Sequence, residues 1–524
     1  MTTITPETTS APPQLRRRSA GEWLKKNLFS DWFNGLLTIA VVTVLAYAAY
    51  AMLNWAFTVA QWVVIPRNVG LFMTGLYPSE QYWRIWILLG LVCALTGLSW
   101  GVLARNLNTL FSRNVLIGFG IVAAGFVVFP PTRPSSPKLL LMVAIVAAAA
   151  WGGRTLGRQI PSLGSWVSAL WFVSYFVAIW LIGGGPFNQS LLSWLLVLGV
   201  SLIAGWVLST KLGAIVSRQF ATAAPIAASI LSAIACLALL AVLPNFLFQY
   251  LIPPAAWIVA IAIVGILLGL VGFVIPRQYQ LGFWLFAAGF GVTLVVTKLI
   301  LGLLGFSLNS VSTNDWGGMA LTLLMAVSGI ALCFPLGVTL ALGRRSNLPV
   351  VRWMSIAYIE LIRGVPLIAI LFMGQVMIPL FLPEGMRPDR VLRAIIGLTI
   401  FSSAYLAENV RAGLQAVPRG QQEAAASLGL NTPLTLSLIV LPQALKIAIP
   451  AIVGQFISLF QDTTLLAIVG LAELLGISRS ILANPNYLGR YAEVYLFIGI
   501  IYWFFCYAMS LGSRKIEEKL NTGH

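Results

Sequence analysis

Runs of roughly 20 apolar residues recur along almost the whole chain, and each is long enough to cross the hydrocarbon layer of a bilayer as a helix. They lie near 36–64, 85–103, 114–129, 139–151, 165–182, 191–209, 222–243, 255–275 and 281–304, and again near 317–342, 351–380, 391–412, 434–460 and 490–512. The fourth is short, and 463–483 is open between span and connector. Backbone in lipid must satisfy its hydrogen bonds within its own segment, so this pattern predicts an all-α polytopic membrane protein. Composition points the same way. Of 524 residues 59% are hydrophobic and only 9% are charged, too few to cover a soluble surface of that size.

The net charge of +17 does not mark a nucleic-acid binder, because the Lys and Arg are scattered between apolar runs rather than gathered in a stripe. They report topology instead. Connectors around Arg105 and Arg113, Arg154 and Arg158, Lys211 and Arg218, Arg277, and Arg344 and Arg345 alternate with connectors at 66–84, 130–138, 183–190, 244–254, 305–316 and 381–390. The second set is poorer in positive charge for its length and richer in Pro, Gly and Asn. The positive-inside bias then places both termini and 413–433 in the cytoplasm. Residues 1–33, with Arg16-Arg17-Arg18 and Lys25-Lys26 after a Pro/Thr/Ser-rich start, read as a retained cytoplasmic tail rather than a signal peptide.

Several chemistries are excluded early. The four cysteines, Cys93, Cys236, Cys333 and Cys506, all fall in apolar stretches, and the single histidine is His524, so neither a metal site nor a catalytic triad is expected. No Lys follows a Gly, so there is no phosphate-binding G-x-x-x-x-G-K-[ST] loop. The chain is not expected to be an enzyme, and no cofactor is expected. If ATP drives it, another chain hydrolyses the ATP.

Arg419 to Pro442 is the polar exception between two apolar runs. Gln421–Leu428 is built of helix formers, and Gly429 can end that helix in a left-handed conformation. Asn431 and Pro433 read as the N-cap and first turn of the next helix. The spacing is Glu423-Ala424-Ala425, then Gly429, then Ile439-x-Leu441-Pro442. This resembles the EAA loop of ABC-importer membrane subunits, whose short helix docks in a cleft of an ATPase. The resemblance implies that Glu423, Ala424, Ala425 and Gly429 couple the chain to that ATPase.

The polar connector Gly305–Trp316 divides the chain. We expect a cytoplasmic tail at 1–33, an additional N-terminal transmembrane region of about nine helices at 34–311, and a five-helix core at 312–524 with the EAA loop at 413–433. Five helices with the loop between the third and fourth is the arrangement of a type I ABC-importer permease. Three further segments narrow the resemblance to permeases for polar amino acids: Glu360–Leu367 (ELIRGVPL), Ser403–Gly413 (SAYLAENVRAG) and Phe456–Leu466 (FISLFQDTTLL). Gln461 stands where that pattern usually carries Lys. Phe29–Leu37, Phe72–Arg84 and the ending Leu520–His524 are similar to the larger membrane subunit of general L-amino-acid importers, of AapM or NatH type.

The family implies an assembly in the bacterial inner membrane. Two homologous permease subunits pair, two ABC ATPase subunits sit beneath, and a periplasmic amino-acid-binding protein delivers an L-amino-acid substrate. Lipid surrounds the spans, and no nucleic acid is involved.

Ionisable groups at membrane depth are costly, so they pair, face the bundle interior or line a path. Glu360 and Arg363, three apart, share a helix face, as do Glu408 and Arg411. Arg363 is expected about 18 Å into its helix at 1.5 Å per residue, where it either meets a substrate carboxylate or is neutralised by Glu360 to hold helices together, with Gly364 and Pro366 making a kink. Glu408 and Arg411 are expected to brace the coupling loop. Gln455, Gln461, Asp462, Thr463 and Thr464 form a polar break in the next span and are a second candidate for the substrate path, together with Glu360 and Arg363. A secondary transporter driven by an ion gradient would explain the helices and the buried charges. It leaves the EAA spacing unexplained, and no inverted repeat is visible in the chain.

Overall fold

The computed structural model describes residues 27–106, 110–111, 113–128, 135–187, 190, 192–193, 195–197, 199–201, 290–293, 296–297, 300–301, 305–382 and 387–520. The spans expected at 222–243 and 255–275, and most of those at 191–209 and 281–304, lie outside the described residues. Among the described residues, eight helices are long and apolar enough to cross a membrane, or nine when one bent pair is taken as a single span.

The N-terminal region opens with α1 (Trp32–Asn54), extended by a π turn at Trp55–Val59; none of its residues is buried by the rest of the described chain. The next helix, α2 (Val64–Thr74), behaves oppositely. Phe72 is completely buried, and its ring meets that of Phe497 at 5.1 Å. The expected 66–84 connector is thus partly a helix set into the core. Pro66 sits in its first turn, where a missing N–H costs nothing, and Gly75 ends it at φ +64°.

Three long helices follow, α3 (Tyr82–Leu103), α5 (Ser136–Gln159) and α6 (Leu163–Gly183), with the shorter α4 (Arg113–Val128) between α3 and α5. The short apolar run at 139–151 is the centre of α5, which continues through Arg154 and Arg158 to 24 residues. Small residues let α3 and α5 touch backbone to backbone: a Cβ on Gly101 would stand 2.1 Å from the carbonyl oxygen of Ala150. After α6 the strand β1 (Gly185–Pro186) pairs antiparallel with β2 (Ser307–Leu308), and buried Arg84 donates to the carbonyl of Asn309 at 2.9 Å.

The core spans are α7 (Gly318–Arg344), the bent pair α8 (Pro349–Arg363) and α9 (Leu367–Phe381), α10 (Arg390–Ala416), α12 (Leu441–Asp462) and α14 (Tyr491–Leu520). The short helix α11 (Arg419–Ser427) joins α10 to α12, and α13 (Leu474–Leu482) joins α12 to α14. The 351–380 run is not one straight helix. α8 and α9 meet at 103° across Gly364–Pro366, because Pro366 has no N–H to continue the ladder. The open stretch 463–483 is a 3₁₀ turn at Thr463–Ala467 followed by α13, which is too short to span.

One continuous apolar cluster joins residues of α2, α7, α8, α10, α12, α13 and α14, including Phe72, Cys333, Ile359, Leu406, Ala444, Leu474 and Val494. A second adds Tyr77 and Ile182 to α7, α9 and α10 through Trp316, Leu371 and Leu398. The Tyr175 hydroxyl on α6 donates to Ser328 Oγ on α7 at 2.7 Å. Parts of the N-terminal region are therefore built into the packing of the core helices.

Candidate functional site

The helix α11 forms where its sequence favours it, and its end is set by backbone chemistry. Leu430 N donates to the carbonyl of Ala425 at 3.1 Å, and Gly429 N to that of Ala426 at 2.9 Å. These two bonds define a Schellman cap with Gly429 at φ +77°. The Asn431 carboxamide oxygen accepts from Leu434 N at 3.1 Å and starts the next helix at Thr432, with Pro433 in its first turn. Glu423 and Ala424 lie on the exposed side of α11, whereas Ala425 is buried against the chain itself. The small side chain at 425 therefore serves internal packing, and 423–424 offer the outward surface.

Two turns or so from the α11 end of α10 lies a cluster of five charges. Glu408 Oε1 accepts from Arg344 Nη1 at 2.8 Å, and its Oε2 accepts from Arg411 Nε at 2.8 Å and lies 2.7 Å from Arg411 Nη2. The i,i+3 pair expected between Glu408 and Arg411 is present. The Glu360–Arg363 pair is not the one formed. Glu360 Oε1 instead accepts from Arg344 Nη1 at 2.9 Å, and Arg363 Nη1 stands 3.9 Å from Glu408 Oε2, with its guanidinium 5.6 Å from the centre of the Tyr405 ring. The sequence marks Arg344 only as a topology signal. It is the residue that joins the two carboxylates, and its place as the last residue of α7 gave no hint of that. Depth in the helix is also a poor guide to Arg363, since its charge reaches the level of Glu408. That level is about 12 Å from the Ala416 end of α10 at 1.5 Å per residue.

The second candidate set occupies the far end of α12. Gln455 and Asp462 are half-buried on the α-helix, and Gln461 is exposed, with its Nε2 3.6 Å from Cys506 Sγ on α14. The helix does not unwind here; it tightens to the 3₁₀ turn. Thr463 Oγ1 donates to the Phe460 carbonyl at 2.7 Å, and Thr464 Oγ1 to that of Gln461 at 2.8 Å, the local back-bonding that such a turn allows. Asn409, beside Glu408, donates to the Ala451 carbonyl at 3.1 Å. Gln455 is four residues beyond Ala451 and Asp462 eleven, so the second set begins about 6 Å and reaches about 16 Å from the first along α12.

A buried node lies outside both sets. Glu473 is fully buried and caps α13, its carboxylate accepting from Leu475 N at 2.9 Å and Gly476 N at 2.8 Å. The Tyr502 hydroxyl donates to it at 3.3 Å, while Leu474 N donates to Thr322 Oγ1 at 3.1 Å. The signal in the sequence is only an acidic residue just ahead of an apolar turn, where negative charge favours a helix start, since Glu is not among the usual N-cap residues.

A bundle of membrane-crossing helices with a short, glycine-capped helix between two of them is the architecture of a polytopic membrane protein, and similarity to known proteins gives its class. Residues 333–522 match the family described as binding-protein-dependent transport system inner membrane component. The chain is 30% identical to the inner membrane amino-acid ABC transporter permease protein YhdY of Escherichia coli (strain K12), over 98% of this chain and 97% of that one. It is also 30% identical to the glutamate/glutamine/aspartate/asparagine transport system permease protein BztC of Rhodobacter capsulatus, over 98% and 96% of the two chains. A crystal structure of an amino acid ABC transporter with histidines covers 38% of the chain at 31% identity, with a TM-score of 0.35. The chain belongs to this family of ABC transporter permeases.

Proposed function

We propose that the chain is the membrane-spanning permease subunit of an ATP-driven, binding-protein-dependent importer of polar L-amino acids in the bacterial inner membrane. The observation that carries this reading is α11. It is an exposed helix with a fixed glycine cap between two core spans, in a chain collinear with amino-acid permeases over nearly its whole length. The α11 end faces the cytoplasm, as do Arg344, Arg345 and the Arg514–Lys515 end of α14, in keeping with the positive-inside bias. Glu423 and Ala424 seat in a cleft of a separate ATPase subunit, and Gly429 keeps the turn. A second, homologous permease completes the pathway, and a periplasmic binding protein delivers the amino acid at the opposite end.

In this reading Arg363 receives the substrate α-carboxylate. Both oxygens of Glu408 are already taken by Arg344 and Arg411, so Arg363 keeps donors for a second carboxylate. The polar set Gln455, Gln461, Asp462, Thr463 and Thr464 lines the path farther along α12. The test is uptake of labelled glutamate and glutamine into proteoliposomes holding this chain, its partner permease and ATPase, with the binding protein outside. Uptake should need ATP and the binding protein. Uptake driven by an ion gradient without ATP would replace this reading with a secondary transporter, and hydrolysis by this chain alone would contradict it.

A further inference from the structure

The packing of α8 differs from that of its neighbours. α7 and α10 lie backbone to backbone: a Cβ on Gly337 would stand 3.0 Å from the Ser403 carbonyl oxygen, and Leu406, Ala407 and Val410 are fully buried. These two helices have no room to slide. α8 buries only Ser355 and Ile359, while Val350, Trp353, Met354 and Leu361 are exposed. It ends at the Gly364–Pro366 bend, where the helical ladder is already interrupted. Two polar ties hold it to the α7–α10 pair, besides the longer approach of Arg363 to Glu408 at 3.9 Å. One is Tyr358, whose hydroxyl donates to the Ile400 carbonyl at 3.0 Å. The other is the bridge from Glu360 through Arg344 to Glu408, with contacts of 2.9 and 2.8 Å.

We propose that Arg344 is a positioning residue. By bridging Glu360 and Glu408 it latches α8 onto the α7–α10 pair, and the transport cycle releases this latch. The inference rests on the reading of α11 as the coupling helix, because α10 runs through Val417 and Pro418 directly into α11. The latch sits on the last turns of α10, at the place where a movement of α11 is first felt. A shift that draws Glu408 away leaves Arg344 with Glu360 alone, a bridge exposed enough to water to hold only weakly, and once the Tyr358 bond also breaks α8 can swing about Gly364–Pro366. Arg344 touches no substrate in this scheme. It sets how readily the unloaded carrier leaves its resting state. A conformational coupling of this kind is worth roughly 5- to 150-fold in an equilibrium.

The experiment uses the assembled transporter in proteoliposomes. Arg344→Gln, which keeps hydrogen-bonding capacity but removes the charge, should raise hydrolysis in the absence of amino acid by about fivefold or more and shrink the further stimulation by loaded binding protein. Arg344→Lys, a cation without the two-pronged geometry, should fall between the two. Unchanged unstimulated hydrolysis in an assembled Arg344→Gln complex overturns the proposal. A second variant does not depend on that protein folding. A Cβ on Gly343 would stand 3.3 Å from that of Ser355, close to the roughly 3.5–4.5 Å that a disulfide spans. Gly343→Cys with Ser355→Cys, made with Cys93, Cys236, Cys333 and Cys506 replaced by Ala, should stop uptake on oxidation and recover on reduction. Full uptake with the cross-link formed overturns the latch. The two readings fail separately. If α11 is not the coupling helix, Gly429→Asp keeps full hydrolysis and uptake whatever the cross-link does.

Discussion

Tyr502 donates to Glu473 at 3.3 Å inside the core, and that contact ties α14 to the cap of α13. Thr322 of α7 accepts from the next backbone amide, Leu474 N, at 3.1 Å, so three helices meet at one buried carboxyl. Glu473 lies between two spans, and burial pushes its carboxyl up to about 7, against the lowering effect of the Leu475 and Gly476 amides, Tyr502 and the Arg479 charge.

The sign of the resulting pH dependence follows. The folded-state value is above the ordinary carboxylate value of 4.5, so the folded chain binds the proton more tightly than the unfolded one. The stability from this group is fully present below about 4.5 and is lost as pH rises through about 7. Thermal midpoints of the detergent-solubilised protein should therefore fall between pH 5 and 8, and Glu473→Gln should flatten that slope. A slope identical in the variant would show that Glu473 is not the group responsible.

Close helix contact gives a second prediction. A Cβ on Gly413 would stand 2.3 Å from the Ala444 carbonyl oxygen and 2.9 Å from the Ala448 Cβ, and both neighbours belong to rigid helix. Gly413→Ala should destabilise the protein by about 1–3 kcal/mol through overpacking, despite the better helix propensity of Ala. A thermal midpoint equal to that of the native chain would mean that α10 and α12 can part at this point without cost.

The α11 cap gives the third. At φ +77°, Gly429 holds a conformation in which a side chain is strained by about 1 kcal/mol or more, although the space beside it is open. Gly429→Asp adds a charge to that strain on the surface proposed to meet the ATPase. It should release the ATPase on co-purification, or leave it bound with hydrolysis no longer stimulated by loaded binding protein. Intact assembly, stimulation and uptake would remove α11 from the coupling role.

The all-α class and the α11 turn were legible because each depends on local rules. Apolar length reports a span, and Gly429, Asn431 and Pro433 each carry their own backbone preference. What escaped depends on contacts distant in sequence. Phe72 belongs to the core only because Phe497, far along the chain, covers it. Spacing on one helix suggested that Glu360 would pair with Arg363, but Arg344 on another helix comes closer and takes the carboxylate. Hydropathy reads 351–380 as one run, whereas the backbone preferences of Gly364 and Pro366 mark a kink in it, and the chain bends there by 103°.

Arg363 gives the last prediction. Its side chain is 37% exposed, and its nearest carboxylate, Glu408 at 3.9 Å, is already satisfied by shorter contacts from Arg344 and Arg411. The guanidinium is therefore held in place, beside the face of Tyr405, without its fork being used up. A free amino acid presents a carboxylate that such a fork can take through two parallel bonds, whereas Lys offers one point charge. Arg363→Lys should keep assembly and unstimulated hydrolysis, because the Arg344 and Arg411 contacts to Glu408 remain. The half-saturating amino-acid concentration for uptake should rise by about tenfold, the equivalent of roughly 1.4 kcal/mol for one lost charge-assisted bond. A role confined to holding α8 against α10 predicts another pattern: reduced assembly and a lower thermal midpoint, with half-saturation unchanged in whatever complex survives. Measuring both quantities on the same preparation separates the two, and an unchanged half-saturation in a fully assembled complex would exclude Arg363 as the carboxylate receptor.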